Sequence, residues 1–402
     1  MNRICPVDLC TGCMACYNSC SHRAIRVEKD CCGFLYPEID ENSCVNCGLC
    51  FSICPVNHPL EKVLPEIVYA AYSKEESDRR SSTSGGASSI FAQRVIKEGG
   101  VVYGCVQESY ADIRHRRIER KNELYKIKGS KYVQSEIGDV FKSVKKDLLE
   151  GKQTLFVGTP CQIAGLRAFL RKDYAELVTV DLVCHGVPSG ELLQECVREI
   201  LKKRNLPEKD YQVRFRVKGK MRKDLKYGIF LSDLIPDNGG GVGVEEKYPH
   251  NYYITGFITG LFHRHCCYSC SYANPRRISD VTIGDYWGIG ETALDVGKGI
   301  SEVFLNTEKG RTFFERCKEE MVCEEREVME AVRGNGQLQH PSVKNRNYEL
   351  FRKLYPELGF RWAARRCLYS FYVHYYLVNR MKTIVRSIPF VRQFYQVIKK
   401  LI

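Results

Sequence analysis

No stretch of this chain is long and apolar enough to suggest a membrane span. No uninterrupted hydrophobic run approaches the roughly 20 residues that a spanning helix needs. The N-terminus, Met1-Asn2-Arg3-Ile4-Cys5-Pro6, has no apolar core of the secretory kind, so a cytoplasmic protein is expected. Acid is missing from the last segment. From Arg361 to Ile402 there is no Asp or Glu, against nine cations: Arg361, Arg365, Arg366, Arg380, Lys382, Arg386, Arg392, Lys399 and Lys400. That segment supplies nine of the thirteen net positive charges, so an argument for nucleic acid would rest on it alone. No specific nucleic-acid partner is expected. Cysteine, in contrast, is abundant: there are 21. Most stand in short CxxC groups, and in a reducing compartment that spacing favours metal ligation over a disulfide framework.

A chain of 402 residues is too long for one compact core. The pattern divides it into residues 1–60, 66–150, 151–335 and 340–402. The first segment is cysteine-rich and lacks long helical patterns, and Pro55, Pro59 and Pro65 mark a linker. From Ile67 the sequence alternates between strands (Ile67–Tyr72, Val101–Val106, Thr154–Val157, Leu177–Val183) and helices (Gly86–Lys97, Gly138–Leu149, Gln162–Leu170, Glu191–Lys203). That order predicts parallel strands with crossover helices. Asp233–Lys247, with Gly239-Gly240-Gly241, is expected to be a flexible loop. The expected fold class is therefore an α+β ferredoxin-like iron–sulfur domain, a larger α/β domain and a helical basic C-terminal tail. In the tail, Leu368, Phe371, Tyr375, Val378, Met381, Val385 and Ile388 fall three or four apart and form one apolar stripe. Such a helix fits a peripheral membrane or protein contact, or packing on the protein's own body.

The N-terminal cysteines form a repeat. Cys10-x2-Cys13-x2-Cys16-x3-Cys20 recurs as Cys44-x2-Cys47-x2-Cys50-x3-Cys54-Pro55. A cubane needs four inward thiolates. A CxxCxxC loop curls three around one cluster, and the fourth cysteine of each run is carried across to the other. Cys10, Cys13, Cys16 and Cys54 are thus expected to hold one 4Fe–4S cluster, and Cys44, Cys47, Cys50 and Cys20 a second. This resembles two-cluster bacterial ferredoxins. Ser21 stands where proline usually follows the fourth cysteine, and the long step from Cys20 to Cys44 implies an enlarged hairpin.

Three more cysteine sites lie downstream. Gly158-Thr159-Pro160-Cys161-Gln162 and Cys184-His185-Gly186-Val187-Pro188-Ser189 each follow a predicted strand, and Cys267-x2-Cys270 lies inside Cys266-Cys267-Tyr268-Ser269-Cys270. If both strands share one parallel sheet, their loops emerge at the same edge, where ligands bind in open α/β sheets. Spacing alone leaves open whether these thiols ligate a third cubane or are inert core residues. Cys5, Cys31, Cys32, Cys105, Cys196, Cys317, Cys323 and Cys367 match no ligand pattern and are expected to be packing residues. His185, His263 and His265 are expected to be ordinary polar residues.

Taken together, Arg79 to Gly104, Gly129-Ser130-Lys131-Tyr132-Val133-Gln134-Ser135, the two strand-end loops and Asp280 to Gly288 resemble the coenzyme F420 hydrogenase/dehydrogenase beta-subunit family. The resemblance covers about residues 1 to 330. It implies a flavin, usually FAD, with residues 66–150 and 151–335 as two parts of the flavin domain. It also favours a third 4Fe–4S cluster on Cys161, Cys184, Cys267 and Cys270, with Cys266 as a substitute for Cys267. Ser84-Gly85-Gly86 precedes a helix whose N-terminus suits phosphate, though an N-cap and turn would read the same way. Lys131 and Tyr132 offer a cation and an aromatic face, and Lys131 is the candidate catalytic residue for charge on a reduced flavin. A solvated surface lysine is the plain alternative. Asp285 is a candidate acceptor for the cofactor, or simply a turn cap. The expected function is an oxidoreductase passing electrons between clusters and a hydride-exchanging substrate such as coenzyme F420, with a redox protein or small hydride carrier as partner. A relay with no substrate of its own, feeding a partner enzyme, is the alternative.

Overall fold

We describe the protein from a computed structural model covering residues 3–218, 226–233 and 243–387, with side chains through Met381. The N-terminal segment contributes a hairpin of β1 (Ile25–Lys29) and β2 (Leu35–Ile39), paired antiparallel. This is the enlarged connection expected between the cysteine repeats. Two short helices, Ala15–Ser19 and Leu49–Ser52, each follow a left-handed residue, Met14 (φ 61°) and Gly48 (φ 72°).

The remaining strands are β3 (Ile67–Ser73), β4 (Val101–Ser109), β5 (Asp112–Ile118), β6 (Thr154–Gly158), β7 (Leu177–Leu182), β8 (Tyr211–Val217), β9 (Lys226–Asp233), β10 (Val244–Lys247), β11 (Val281–Asp285), β12 (Ser301–Leu305) and β13 (Met321–Arg326). Eight of them form one sheet in the order β13-β3-β12-β11-β7-β6-β4-β5. Its middle is parallel, as the alternation predicted: β4, β6, β7 and β11 run together. Its flanks are not. β5 pairs antiparallel with β4, and β12, β3 and β13 add three antiparallel pairings beyond β11. The first predicted strand, β3, lies far from β4 because β12 and β13 return from late in the chain to enclose it. The expected all-parallel order is corrected in this respect. β5 was not among the expected strands, and Arg114, Arg116 and Arg117 interrupt its apolar residues. Ile113, His115 and Ile118 are its buried residues, an alternation that suits an edge strand with one wet face.

β8, β9 and β10 form a separate three-stranded antiparallel sheet. The expected loop over Asp233–Lys247 is corrected at its end, where Val244–Lys247 pairs with β9. Gly239-Gly240-Gly241 lie outside the described residues.

The N-terminal segment is not a free appendage. Cys32, Phe34 and Tyr36 share a buried cluster with Leu192, Leu193 and Cys196, and with Phe351, Tyr355 and Phe360 from the helix Tyr348–Cys367. Met14, Ala15 and Ile53 share another with Phe141, Phe156 and Ile163. The first helix of the basic tail therefore belongs to the core, burying Phe351, Ala363, Ala364 and Cys367. In the second helix, Tyr369–Ser387, the expected stripe is divided. The preceding Leu368 is buried, Phe371, Tyr375 and Val378 are half-buried, and Met381 is 64% exposed. The Val385 side chain and Ile388 lie outside the described residues. The Tyr372 and Tyr376 hydroxyls fix this helix to the Pro249 carbonyl (2.6 Å) and to His250 (3.2 Å). Among the described residues no helix is long and apolar enough to cross a membrane.

Candidate functional site

The carboxyl ends of the parallel strands open into one large cavity of about 1050 Å³. β6 and β7 are hydrogen-bonded neighbours, so the loops after them do emerge side by side. The first begins the helix Pro160–Leu170. Thr159 and Gln162 form a capping box, and Pro160 sits at the first helical position, where its missing N–H costs nothing. Cys161 follows in the first turn, where the helix dipole favours a thiolate. Cys184 follows β7. Cys266 and Cys267 lie on the short 3-10 turn His265–Ser269, and Cys270 ends it.

All five thiols line the cavity. They are also electrostatic neighbours. Burial pushes the Cys161 thiol up, and Cys266, Cys184 and Cys270 push it further. Burial pushes Cys184 up to about 12, with Cys270 and Cys266 adding to it. The hydrogen bond to Cys266 raises Cys267 most, followed by burial. Four or five sulfurs around a common space is the donor chemistry of a cubane. Among the described residues no three His, Cys, Asp or Glu side chains converge tightly enough for a single metal ion. A cubane is a larger object than one ion, so its thiolates stand further apart.

Several of the N-terminal thiols are electrostatic neighbours as well. Burial raises Cys13 to about 12 and raises Cys16 strongly, and each of these thiols feels Cys10 and Cys54. Cys50 is raised by burial and feels Cys44 and Cys47. The first set is largely enclosed, whereas Cys47 is exposed. Cys5, expected to be packing only, stands between Cys10 and Cys54. Its hydrogen bonds draw both of those thiols down.

The two sulfur regions are close. A Cβ at Gly165 would lie 2.7 Å from the Cys13 Cβ, so the helix that carries Cys161 in its first turn rests directly on the first cysteine set. Tyr272, raised by burial, feels Cys161 and Cys270 on one side and Cys13 and Cys54 on the other. Arg277 fastens the stretch after Cys270. It donates to the Tyr272 carbonyl (3.0 Å) and pairs with Asp181 on β7 (2.8 Å), both partners fully buried.

Farther along the cavity stand the candidate cofactor residues. Gly86 (φ 100°) precedes the helix Ala87–Lys97, whose first turn lines the cavity together with Ser84. Gly85 does not line it. A Cβ there would run into the Ala71 carbonyl and the Ser301 nitrogen, so this glycine serves close packing. The Ser130 N–H donates to Thr83 Oγ1 (2.8 Å), and Lys128 Nζ donates to the buried Asp78 (2.6 Å). Those bonds bring the Lys131 loop against the phosphate-type loop. Lys131 is not a solvated surface lysine. Its ammonium donates to the Lys126 (3.2 Å) and Lys128 (2.9 Å) carbonyls, and burial lowers it to about 8. Tyr132 stacks on Phe257 with ring centroids 4.6 Å apart, which occupies one of its faces. Asp285 forms an ion pair with Arg216, which the sequence reading missed. His263, expected to be an ordinary polar residue, is buried against the cavity with both ring nitrogens unpartnered. Burial lowers it to about 3.

Comparison with known proteins speaks to the same segments. Residues 151–331 match the family model for the carboxyl-terminal part of the coenzyme F420 hydrogenase/dehydrogenase beta subunit. Residues 9–58 match that of the 4Fe-4S dicluster domain. The chain thus joins a segment similar to the beta-subunit carboxyl-terminal domain to one similar to a 4Fe-4S dicluster domain. Among solved structures, a chain of the F420-reducing NiFe hydrogenase complex from Methanosarcina barkeri aligns over 77% of this chain and 93% of its own. The identity is 15% and the TM-score 0.44. No curated protein matches the chain. Of the cavity, Cys161, Cys184, Cys267, Cys270 and Asp285 fall inside the beta-subunit match, while Ser84, Gly86, Lys131 and Tyr132 precede it.

Proposed function

We propose that this beta-subunit-type chain is an iron–sulfur flavoprotein oxidoreductase that exchanges a hydride with a substrate such as coenzyme F420 and single electrons with a protein partner. What carries this reading is that one cavity joins the helix N-terminus and Lys131 at one end to Cys161, Cys184, Cys267 and Cys270 at the other. A flavin bound there supplies the conversion between hydride and single-electron chemistry. The cavity suits it in volume and in its unpartnered donors. The N–H groups of the first turn after Gly86 suit phosphate. An ammonium has three donors, and with two on the Lys126 and Lys128 carbonyls Lys131 keeps one for an anionic occupant. Arg216, held by Asp285, adds a second cation at the wall. Cys161, Cys184, Cys267 and Cys270 would ligate a third 4Fe–4S cluster. Cys10, Cys13, Cys16 and Cys54 would ligate the next, and Cys20, Cys44, Cys47 and Cys50 the outermost, nearest a redox partner. On this reading residues 1–60 are the dicluster domain, 66–150 and 151–335 the two parts of the flavin domain, and 340–402 a tail with a contact role. A chain with so many thiolate ligands belongs in the reducing cytoplasm.

Reduced F420, added anaerobically to the purified protein, should bleach the cluster absorbance. NADH and NADPH serve as competing hydride donors. Clusters that respond to dithionite and to none of these donors would count against the hydride reading.

The lysine gives a pH signature. Because Lys131 is lowered to about 8, its charge is complete below that pH and is lost as the pH rises through it. FAD retention should therefore be flat below pH 8 and weaken above it. Lys131→Ala should reduce retention about tenfold at pH 7, the size of a charge-assisted hydrogen bond, and should remove that pH dependence. Equilibrium dialysis of FAD across the pH range checks both statements.

A further inference from the structure

Arg264 was not singled out by its sequence position, yet it is among the largest fully buried side chains of the molecule. Its guanidinium lies in the first cysteine loop. Nε donates to the Cys10 carbonyl at 2.7 Å, and a second nitrogen donates to the Leu35 carbonyl at 3.0 Å. The third reaches Gln134 Oε1 at 3.1 Å, and the Gln134 amide returns a bond to the Thr11 carbonyl at 3.1 Å. The same side chain approaches the Cys10 sulfur at 3.9 Å. The loop is shaped around it: a Cβ at Gly12 would lie 2.9 Å from the guanidinium carbon. The Tyr36 ring covers it, 4.1 Å from centroid to guanidinium carbon.

Its charge is not balanced in any ordinary way. Among the described residues no carboxylate lies within ion-pair distance of Arg264, although the residue is completely enclosed. A buried cation without a counter-charge costs several kcal/mol. The carbonyls and the Tyr36 ring offset part of that cost. The full negative charge beside it comes from thiolates: the set of Cys10, whose sulfur and carbonyl it contacts directly, and more remotely Cys266 and Cys267. Two residues further on, Cys266 begins the second sulfur region.

We propose that Arg264 is the buried counter-cation of the cluster held by Cys10, Cys13, Cys16 and Cys54, and that it sets this cluster's reduction potential. One-electron reduction adds one negative charge and moves no proton. A fixed cation at the ligand sulfur therefore favours the reduced form and raises the potential. Arg264 thus acts through Cys10 as a positioning and tuning residue, and it also binds the N-terminal segment to the large domain. This inference rests on the iron–sulfur reading of Cys10 and is independent of the flavin.

The test is an anaerobic redox titration of the full chain, followed by electron paramagnetic resonance, for wild type, Arg264→Gln and Arg264→Lys. In Arg264→Gln one cluster signal should move to lower potential by about tenfold in its reduction equilibrium, which is about 59 mV for one electron. That shift should be the largest of the three, the cluster on Cys20, Cys44, Cys47 and Cys50 should stay in place, and Arg264→Lys should recover most of the shift. Should Arg264→Gln lose the cluster, a Lys variant that keeps it near the native potential supports the charge role. An unshifted Gln variant that retains its iron overturns the proposal. So does a Lys variant that behaves like Gln. A wild-type chain without the two dicluster signals removes the cluster assignment, and the proposal with it.

Discussion

Changing Cys161 and Cys184 together to Ser should remove about four of about twelve irons from anaerobically purified protein and leave the dicluster signals unaltered. The two thiols stand on neighbouring strand ends and face the same space as Cys266, Cys267 and Cys270. A cubane that loses two of four thiolates is not retained, whereas the N-terminal sets touch neither residue as ligands. Reduction of the dicluster by a hydride donor should then fall to background, because Cys161 heads the helix that rests on Cys13. Single Cys266→Ser and Cys267→Ser variants decide which of those adjacent thiols is the ligand. An iron count equal to wild type in the double variant rules the site out.

A second large effect is expected at Asp181. Its carboxylate pairs with Arg277 where both are shut off from water, and Arg277 also holds the Tyr272 and Asn274 carbonyls. Asp181→Ala leaves a buried guanidinium without its counter-charge, at a cost of roughly 3–5 kcal/mol. The urea midpoint followed by circular dichroism should fall accordingly, and the iron tied to Cys270 should become labile. Asp181→Asn keeps an acceptor and should lose less. An unchanged midpoint for Asp181→Ala would show that the pair contributes little.

Much of this site was readable in the sequence because cysteine spacing carries geometry. The two CxxCxxC runs lead to an expected crossed ligation, and the two strand-end loops needed only parallel neighbours to come together. Ser84, Gly86, Lys131, Tyr132 and Asp285 were found by local chemistry, and all of them line one cavity. Other features were not legible, for reasons of distance along the chain. Arg264 meets Cys10 across 254 residues, and Arg216 meets Asp285 across 69. Neither carries a local pattern, although the run His263-Arg264-His265-Cys266-Cys267 is an unusual concentration of nitrogen-bearing side chains beside thiols. Gly85 looked like a phosphate-loop glycine because its local sequence is identical for either purpose. The Ala71 carbonyl from β3 and the Ser301 nitrogen from β12 show that packing needs it. The antiparallel flanks of the sheet were hidden for a similar reason, since β12 and β13 enclose β3 from the far end of the chain.

The joined cavity is the centre of the functional account, and its cofactor content tests that account most directly. Protein purified anaerobically, then denatured, should release about one FAD per chain alongside about twelve irons. Protein that carries all its iron, contains no flavin and resists FAD reconstitution would contradict the account and leave a simple electron relay in its place.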